Sequence, residues 1–244
     1  MDKMLKSIHI GTSGWHYDHW KGSFYPEDLA EDGLLEYYSG RFSTVEINNT
    51  FYQLPSDDTV NTWKAAAGDD FVFSVKASRY ITHMKKLKDP GDALKRFFHC
   101  IAPLGDRMGP VLFQLPPRWR RDAGRLEDFL EMLPPENRYA FEFRDRSWLD
   151  EDVFRILREH GAALCIYDLA GFTSPGEVTA GHVYVRLHGP DGAYRGSYDP
   201  QTLSGWIGAF SSWASQGREV YCYFDNDQEG NAVADAIAMR GMIS

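Results

Sequence analysis

Three observations predict a single (β/α)8 TIM barrel: eight apolar runs rich in Val, Ile, Phe and Tyr, segments of helical period between them, and a length of 244 residues. Strand alternating with helix at about 30 residues per unit is the pattern of such a barrel, which typically takes about 250 residues. The strands are expected at SIHIGTS (7–13), STVEINN (43–49), FVFSVKA (71–77), GPVLFQL (109–115), RYAFEFR (138–144), ALCIYDL (163–169), HVYVRLH (182–188) and EVYCYFDN (219–226). Helical spacing of apolar residues marks 34–42, 59–67, 93–104, 125–133, 152–161, 202–217 and 230–241. The sixth unit is thin or lacks its helix, because GFTSPGEVTAG between Leu169 and His182 is too rich in Gly, Pro and Thr. The first strand-to-helix connection, Gly14 to Leu29, is long and aromatic, as functional loops often are. Residues 1–244 are therefore read as one domain.

Composition bounds the function. With 43% apolar and 25% charged residues the chain is of ordinary globular type. MDKMLKSIHIG has no apolar run behind its basic residues, and no stretch approaches the roughly 18 apolar residues of a membrane helix. A cytoplasmic protein with no membrane partner is expected. Cys100, Cys165 and Cys222 are too scattered for a disulfide framework or a zinc knuckle. A net charge of −9 argues against a general nucleic-acid coat. Two stretches are nonetheless basic: SRYITHMKKLKD with Arg79, Lys85, Lys86 and Lys88, and PPRWRRD with Arg118, Arg120 and Arg121. Trp119 stands among those arginines, so a rim of Arg79, Lys85, Lys86, Arg118, Trp119 and Arg121 is a candidate grip for single-stranded nucleic acid.

Strand alternation locates a site. In STVEINN the apolar Val45 and Ile47 face the helices, which sends Glu46 and Asn48 into the barrel. The same phase sends Glu142 and Arg144, and Arg186 and His188, inward, while Lys76, Gln114 and Asp168 are expected to close their strands. For YCYFDN the phase allows either Asp225 or Asn226. Ionic residues from so many strands must pair or bind something, and they gather at the C-terminal face, where barrel enzymes keep their active sites. Three cations, Lys76, Arg144 and Arg186, suit a phosphate-bearing or other anionic substrate. Glu46 and Glu142 are candidate acid/base groups, with His188 as a proton donor, in a hydrolase-like reaction. The alternatives are a non-catalytic binder of nucleic acid or a small anion, a glycosidase using Glu46 and Glu142 as a carboxylate pair, and a polar plug in which Glu46 pairs with Lys76 and Glu142 with Arg186 or Arg144. His188, Glu46, Glu142 and Asp168 offer donors for a divalent metal, but beyond His16 and His19 no close histidine spacing supports one. GTSGW matches no nucleotide-binding loop, so no cofactor is evident.

At these residues the sequence resembles the domain of unknown function 72 family, the YecE-like proteins. The stretches are GTSGWHYDHWKGSFYP (11–26), VEINNTFYQLP (45–55), FSVKASRYITH (73–83), GPVLFQLPP (109–117), FEFRDRSW (141–148), VYVRLHG (183–189) and YFDND (223–227). The resemblance implies a TIM barrel and no particular reaction. It marks Trp15, Glu46, Asn48, Phe51, Tyr52, Lys76, Gln114, Glu142, Arg144, Arg186, His188 and Asn226 as site residues. Asp225 stands where the family often has Asn, which adds a carboxylate. Likeness to xylose-isomerase-like barrels, which include a DNA repair endonuclease, is an analogy of fold alone.

Overall fold

The computed structural model describes residues 7–243. Nine strands form one sheet: β1 (Ile8–Thr12), β2 (Thr44–Ile47), β3 (Val72–Lys76), β4 (Met108–Leu115), β5 (Tyr139–Phe143), β6 (Ala163–Leu169), β7 (Phe172–Thr173), β8 (His182–Leu187) and β9 (Glu219–Phe224). Eight of them run parallel in the order β1-β9-β8-β6-β5-β4-β3-β2, and β7 is a two-residue antiparallel flap on β6. Helices return the chain between most neighbouring strands, giving a nearly closed α/β barrel.

Closure between β1 and β2 is partial and has a local cause. The Tyr38 hydroxyl sits between the two strands, taking the Thr12 amide at 2.9 Å and donating to the Thr44 carbonyl at 3.2 Å. Gly11 permits this approach, since a Cβ there would overlap the Thr44 carbonyl. The strands meet directly only at the mouth, where the Gly14 amide donates to the Glu46 carbonyl at 2.8 Å.

Alternation divides the buried residues into two apolar layers. Val45, Phe73, Val75, Phe113, Phe141, Phe143, Val185 and Phe224 pack against the helices. Leu112, Ala140, Ala163, Cys165, Tyr184, Tyr221 and Tyr223 fill the barrel interior. The small residues of β5 and β6 leave room for the tyrosine rings of β8 and β9, so the interior is filled without a channel.

The helices start where side-chain caps stop the preceding chain: Ser56 caps Asp57–Ala66, Asp122 caps Ala123–Glu131, Asp150 caps Glu151–Glu159 and Asp199 caps Pro200–Ser215. The helix Glu151–Glu159 buries Val153, Phe154, Ile156 and Leu157, the face its spacing predicts. The sixth unit has no helix. After β7 the chain runs extended, and its Ser174 and Thr179 hydroxyls accept the β6 amides of Tyr167 and Leu164 at 2.8 and 2.7 Å. The long first loop folds inward instead of forming an open rim. Trp15, Trp20, Phe24 and Tyr25 are buried, with Trp20 Nε1 donating to Asp227 at 2.8 Å.

Candidate active site at the barrel mouth

At the C-terminal end, charge begins above a layer of hydroxyls. The Tyr223 hydroxyl donates to Ser74 Oγ at 2.7 Å, and the Tyr184 hydroxyl donates to Glu46 Oε2 at 2.6 Å. On this floor Arg186 is the hub. Its Nη1 donates to Glu142 Oε2 at 2.8 Å, while Nη2 donates to Glu46 Oε1 at 2.8 Å, Ser13 Oγ at 2.9 Å and Asp225 Oδ2 at 2.9 Å. Arg186, Glu46, Glu142 and His188 are all fully enclosed. A planar guanidinium is suited to this fork, and leaving such charges unpaired in the interior would be costly.

A second tier extends the network toward solvent. Arg144 Nε donates to Glu142 Oε1, and its Nη2 donates to His188 Nε2 at 3.0 Å. Arginine only donates, so His188 Nε2 accepts and Nδ1 carries the hydrogen that goes to Asp225 Oδ2 at 3.0 Å. Burial alone would raise the Glu142 carboxyl, but Arg144 and Arg186 outweigh it and hold the group well below the usual range. Burial is likewise overcome at Asp225, where Arg186 and His188 bring the carboxyl down to about 2. Both are therefore kept ionised.

The outermost tier is cationic and has free hydrogen-bonding capacity. The Lys76 ammonium, at the end of β3, makes no hydrogen bond or ion pair with another described residue, and its Nζ lies 4.5 Å from the centre of the Phe51 ring. Burial and the Arg186 charge lower its titration against the pull of Asp225, Glu46 and Glu142. Among the described residues the Gln114 side chain, Arg144 Nη1, and the buried Asn48 Oδ1 and Arg186 Nε have no hydrogen-bond partner. Beside them stands His83, in a single π-helical turn at Tyr80–Met84, its ring edge-on to Phe51 at 5.1 Å. Burial, then Lys76, Arg79 and Arg144, push His83 down to about 4. Three cations, Lys76, Arg79 and Arg144, thus lie close enough to act on His83 in a chain that is acidic overall.

Strand phase thus brings Glu46, Asn48, Lys76, Gln114, Glu142, Arg144, Arg186 and His188 to one end of the barrel, with Phe51 against Lys76. Other expectations need correction. Glu46 pairs with Arg186 and not Lys76. Asp225 points inward because Tyr221 and Tyr223 do. Asn226, one residue out of phase, donates to the Gly196 carbonyl and Asp235 outside the barrel. Asp168 also faces outward and accepts from Tyr198 and Thr173, so it cannot join His188, Glu46 and Glu142 around a metal. No group of three or more His, Cys, Asp or Glu side chains with metal-ligating geometry occurs among the described residues. Trp15 is buried against Trp63 with ring centres 5.4 Å apart, whereas Tyr52 is 73% exposed.

The basic rim is weaker than its sequence suggests. Trp119 is buried, edge-on to Trp148 at 5.1 Å, and its carbonyl accepts the Trp148 indole N–H at 2.6 Å. It is a packing residue that cannot stack on a base. Arg121 pairs with Asp150, and Lys85 donates to its own loop at the Asp89 carbonyl, 2.9 Å away. Arg79, Lys86 and Arg118 face solvent.

The profile described as "Protein of unknown function DUF72" matches residues 9–244. The chain belongs to the DUF72 family. It is 33% identical over 169 residues to the UPF0759 protein YecE of Escherichia coli K12, a match spanning 66% of this chain and 59% of YecE. The UPF0759 protein YunF of Bacillus subtilis is 26% identical over 97% of this chain and 94% of its own. Among solved structures, a DUF72 family protein of Thermotoga maritima superimposes with a TM-score of 0.88 at 28% identity, covering 97% of this chain and 98% of that one. One from Enterococcus faecalis has a TM-score of 0.83 at 18% identity and covers 97% and 95%. These likenesses confirm the barrel.

Sequence reading of this DUF72 chain missed three participants at the mouth. Ser13 and Tyr184 lie in the inward phase of β1 and β8, two residues from Gly11 and Arg186, and extending the alternation argument would have found them. His83 lies in an irregular turn and carries no periodic signal. No helix among the described residues is long and apolar enough to cross a membrane.

Proposed function

We propose that this protein is an enzyme that binds a small phosphate-bearing or otherwise anionic substrate at the barrel mouth and transforms it by acid–base chemistry. The carrying observation is the outer tier: the Lys76 ammonium, the Gln114 amide, Arg144 Nη1 and Asn48 Oδ1 lie at the C-terminal face with no hydrogen-bond partner among the described residues. Native proteins leave few such groups unmatched except where something binds. Arg144 supplies the anion contact, and Gln114 and Asn48 orient the rest of the molecule.

The proton-transfer role moves from the two glutamates to His83. Glu46 and Glu142 are enclosed and saturated by Arg186, Arg144, Ser13 and Tyr184, so they act as positioning residues that fix the cations. His188, between Asp225 and Arg144, orients Arg144. A glycosidase would need one of the two glutamates to carry a proton, which the arginines around Glu142 oppose. His83 is partly exposed, its Nδ1 lies 2.9 Å from Thr82 Oγ1, and Nε2 is left to act as a base near neutral pH. Hydrolysis of a phosphate ester is the first reaction to screen. Turnover of phosphate mono- and diesters by the wild type, lost in His83→Gln with Arg144–anion affinity retained, supports this assignment; undiminished turnover in His83→Gln refutes it.

A further inference from the structure

We propose that Lys76 is a nucleophilic amine that forms an imine with a short aldehyde or ketone carrying phosphate, the phosphate resting on Arg144 and Gln114. This deepens the anionic-substrate reading and rests on it by naming a second functional group on the substrate.

The placement of Lys76 carries the argument. It ends β3 at the face where the ionic tiers converge, and its backbone is fixed by Thr50 Oγ1, which donates to its carbonyl at 2.7 Å. Three carboxylates share the mouth, yet none pairs with this ammonium, because Arg186 and Arg144 already occupy them. The groups facing Lys76 are Glu46 from β2, Glu142 from β5, Arg186 from β8, Asp225 after β9 and His83 from the π-turn. Its Nζ lies over the Phe51 ring, which shields one side of the nitrogen from water. A lysine beside another cation in a partly desolvated site is an activated nucleophile. The lowered titration of Lys76 agrees with that geometry. Gln114 lies on β4, between Lys76 on β3 and Arg144 just beyond β5. Adjacent strands are about 4.8 Å apart, so the reach from amine to guanidinium suits a short carbon chain.

The step balances without a cofactor. The Lys76 lone pair adds to the carbonyl carbon while the carbonyl π pair moves to oxygen. His83, which flanks the same Phe51 ring, carries one nitrogen proton to the alkoxide, giving the hydroxyl of a carbinolamine, and then relays the second nitrogen proton to that hydroxyl. That hydroxyl leaves as water as the carbon–nitrogen double bond forms, so amine plus carbonyl gives imine plus water.

The test is reductive trapping of the whole protein near pH 7 with glyceraldehyde 3-phosphate and cyanoborohydride, read by peptide mass mapping. The expected result is an adduct on Lys76 that forms several-fold faster than on solvent-facing Lys86, is slowed by inorganic phosphate, and weakens in His83→Asn. Adducts spread evenly over the lysines would overturn the imine while leaving anion binding to its own titration. Preferential Lys76 labelling that ignores inorganic phosphate and proceeds equally with unphosphorylated glyceraldehyde would instead overturn the anion reading and keep the amine. The wild-type map decides between these, so the result does not depend on a variant that fails to fold.

Discussion

Lys76 Nζ lies 4.5 Å from the centre of the Phe51 ring and is left unpaired in a mouth that contains Glu46, Glu142 and Asp225. Arg186 explains the vacancy of partners: one guanidinium binds all three acids and leaves the lysine to the aromatic face. Removal of the ring admits water and raises the lysine's titration. Phe51→Ala therefore slows Lys76 labelling by aldehydes at neutral pH, because water solvates the ammonium better than the ring it replaces. Following the labelling rate against pH in both proteins checks this.

Arg186 is the stability hinge of the site. Arg186→Met leaves Glu46, Glu142 and Asp225 without their shared partner and lowers stability by about 3–5 kcal/mol. Denaturant unfolding measures it, and a loss below about 1 kcal/mol would show that the mouth tolerates unpaired charge.

Acid unfolding begins well above the carboxylate range. Burial, then Arg138, pushes His182 down to about 4, and its Nε2 has no partner among the described residues. A folded pKa below the unfolded value of about 6.5 gives stability that is present above that pH and lost as pH falls toward 4. His182 contributes on the order of 3 kcal/mol by this route. Asp225, held at about 2, follows the same sign at lower pH, losing its contribution as pH drops from about 4 toward 2. His182→Gln flattens the upper limb of the stability-versus-pH curve and leaves the lower limb; an unchanged upper limb contradicts the assignment.

Trp119 separates the nucleic-acid reading from packing. Trp119→Ala costs about 3 kcal/mol or more through the cavity left beside Trp148. It leaves oligonucleotide affinity, if any is measured, unchanged relative to a double substitution of Arg79 and Lys86. A selective loss of oligonucleotide binding with unaltered stability would reverse that view.

Much of this was legible because strand alternation is rigid. Val45, Phe141 and Val185 had to face the helices, so Glu46, Glu142 and Arg186 had to meet inside. Helix positions also followed from apolar spacing, as at Val153, Ile156 and Leu157. Alternation says nothing about pairing, so Arg186 taking Glu46 from Lys76 depended on side-chain length and on the tyrosine floor. Trp119 misled for a related reason: a ring in a basic run has no period, and its burial depends on Trp148, 29 residues away. Asp168 and Asn226 fell out of phase at strand ends, where the chain turns away from the barrel.

The central claim is that the outer tier binds a small anion, and the most direct measurement is a calorimetric titration of glycerol 3-phosphate into the wild type and Gln114→Glu. The Gln114 side chain has no hydrogen-bond partner among the described residues, so its replacement changes the mouth's charge without breaking a bond. The account predicts saturable binding at a single site in the wild type, weakened at least tenfold in the variant, equivalent to about 1.4 kcal/mol. Absence of binding to the wild type, or equal affinity in both proteins, would contradict it.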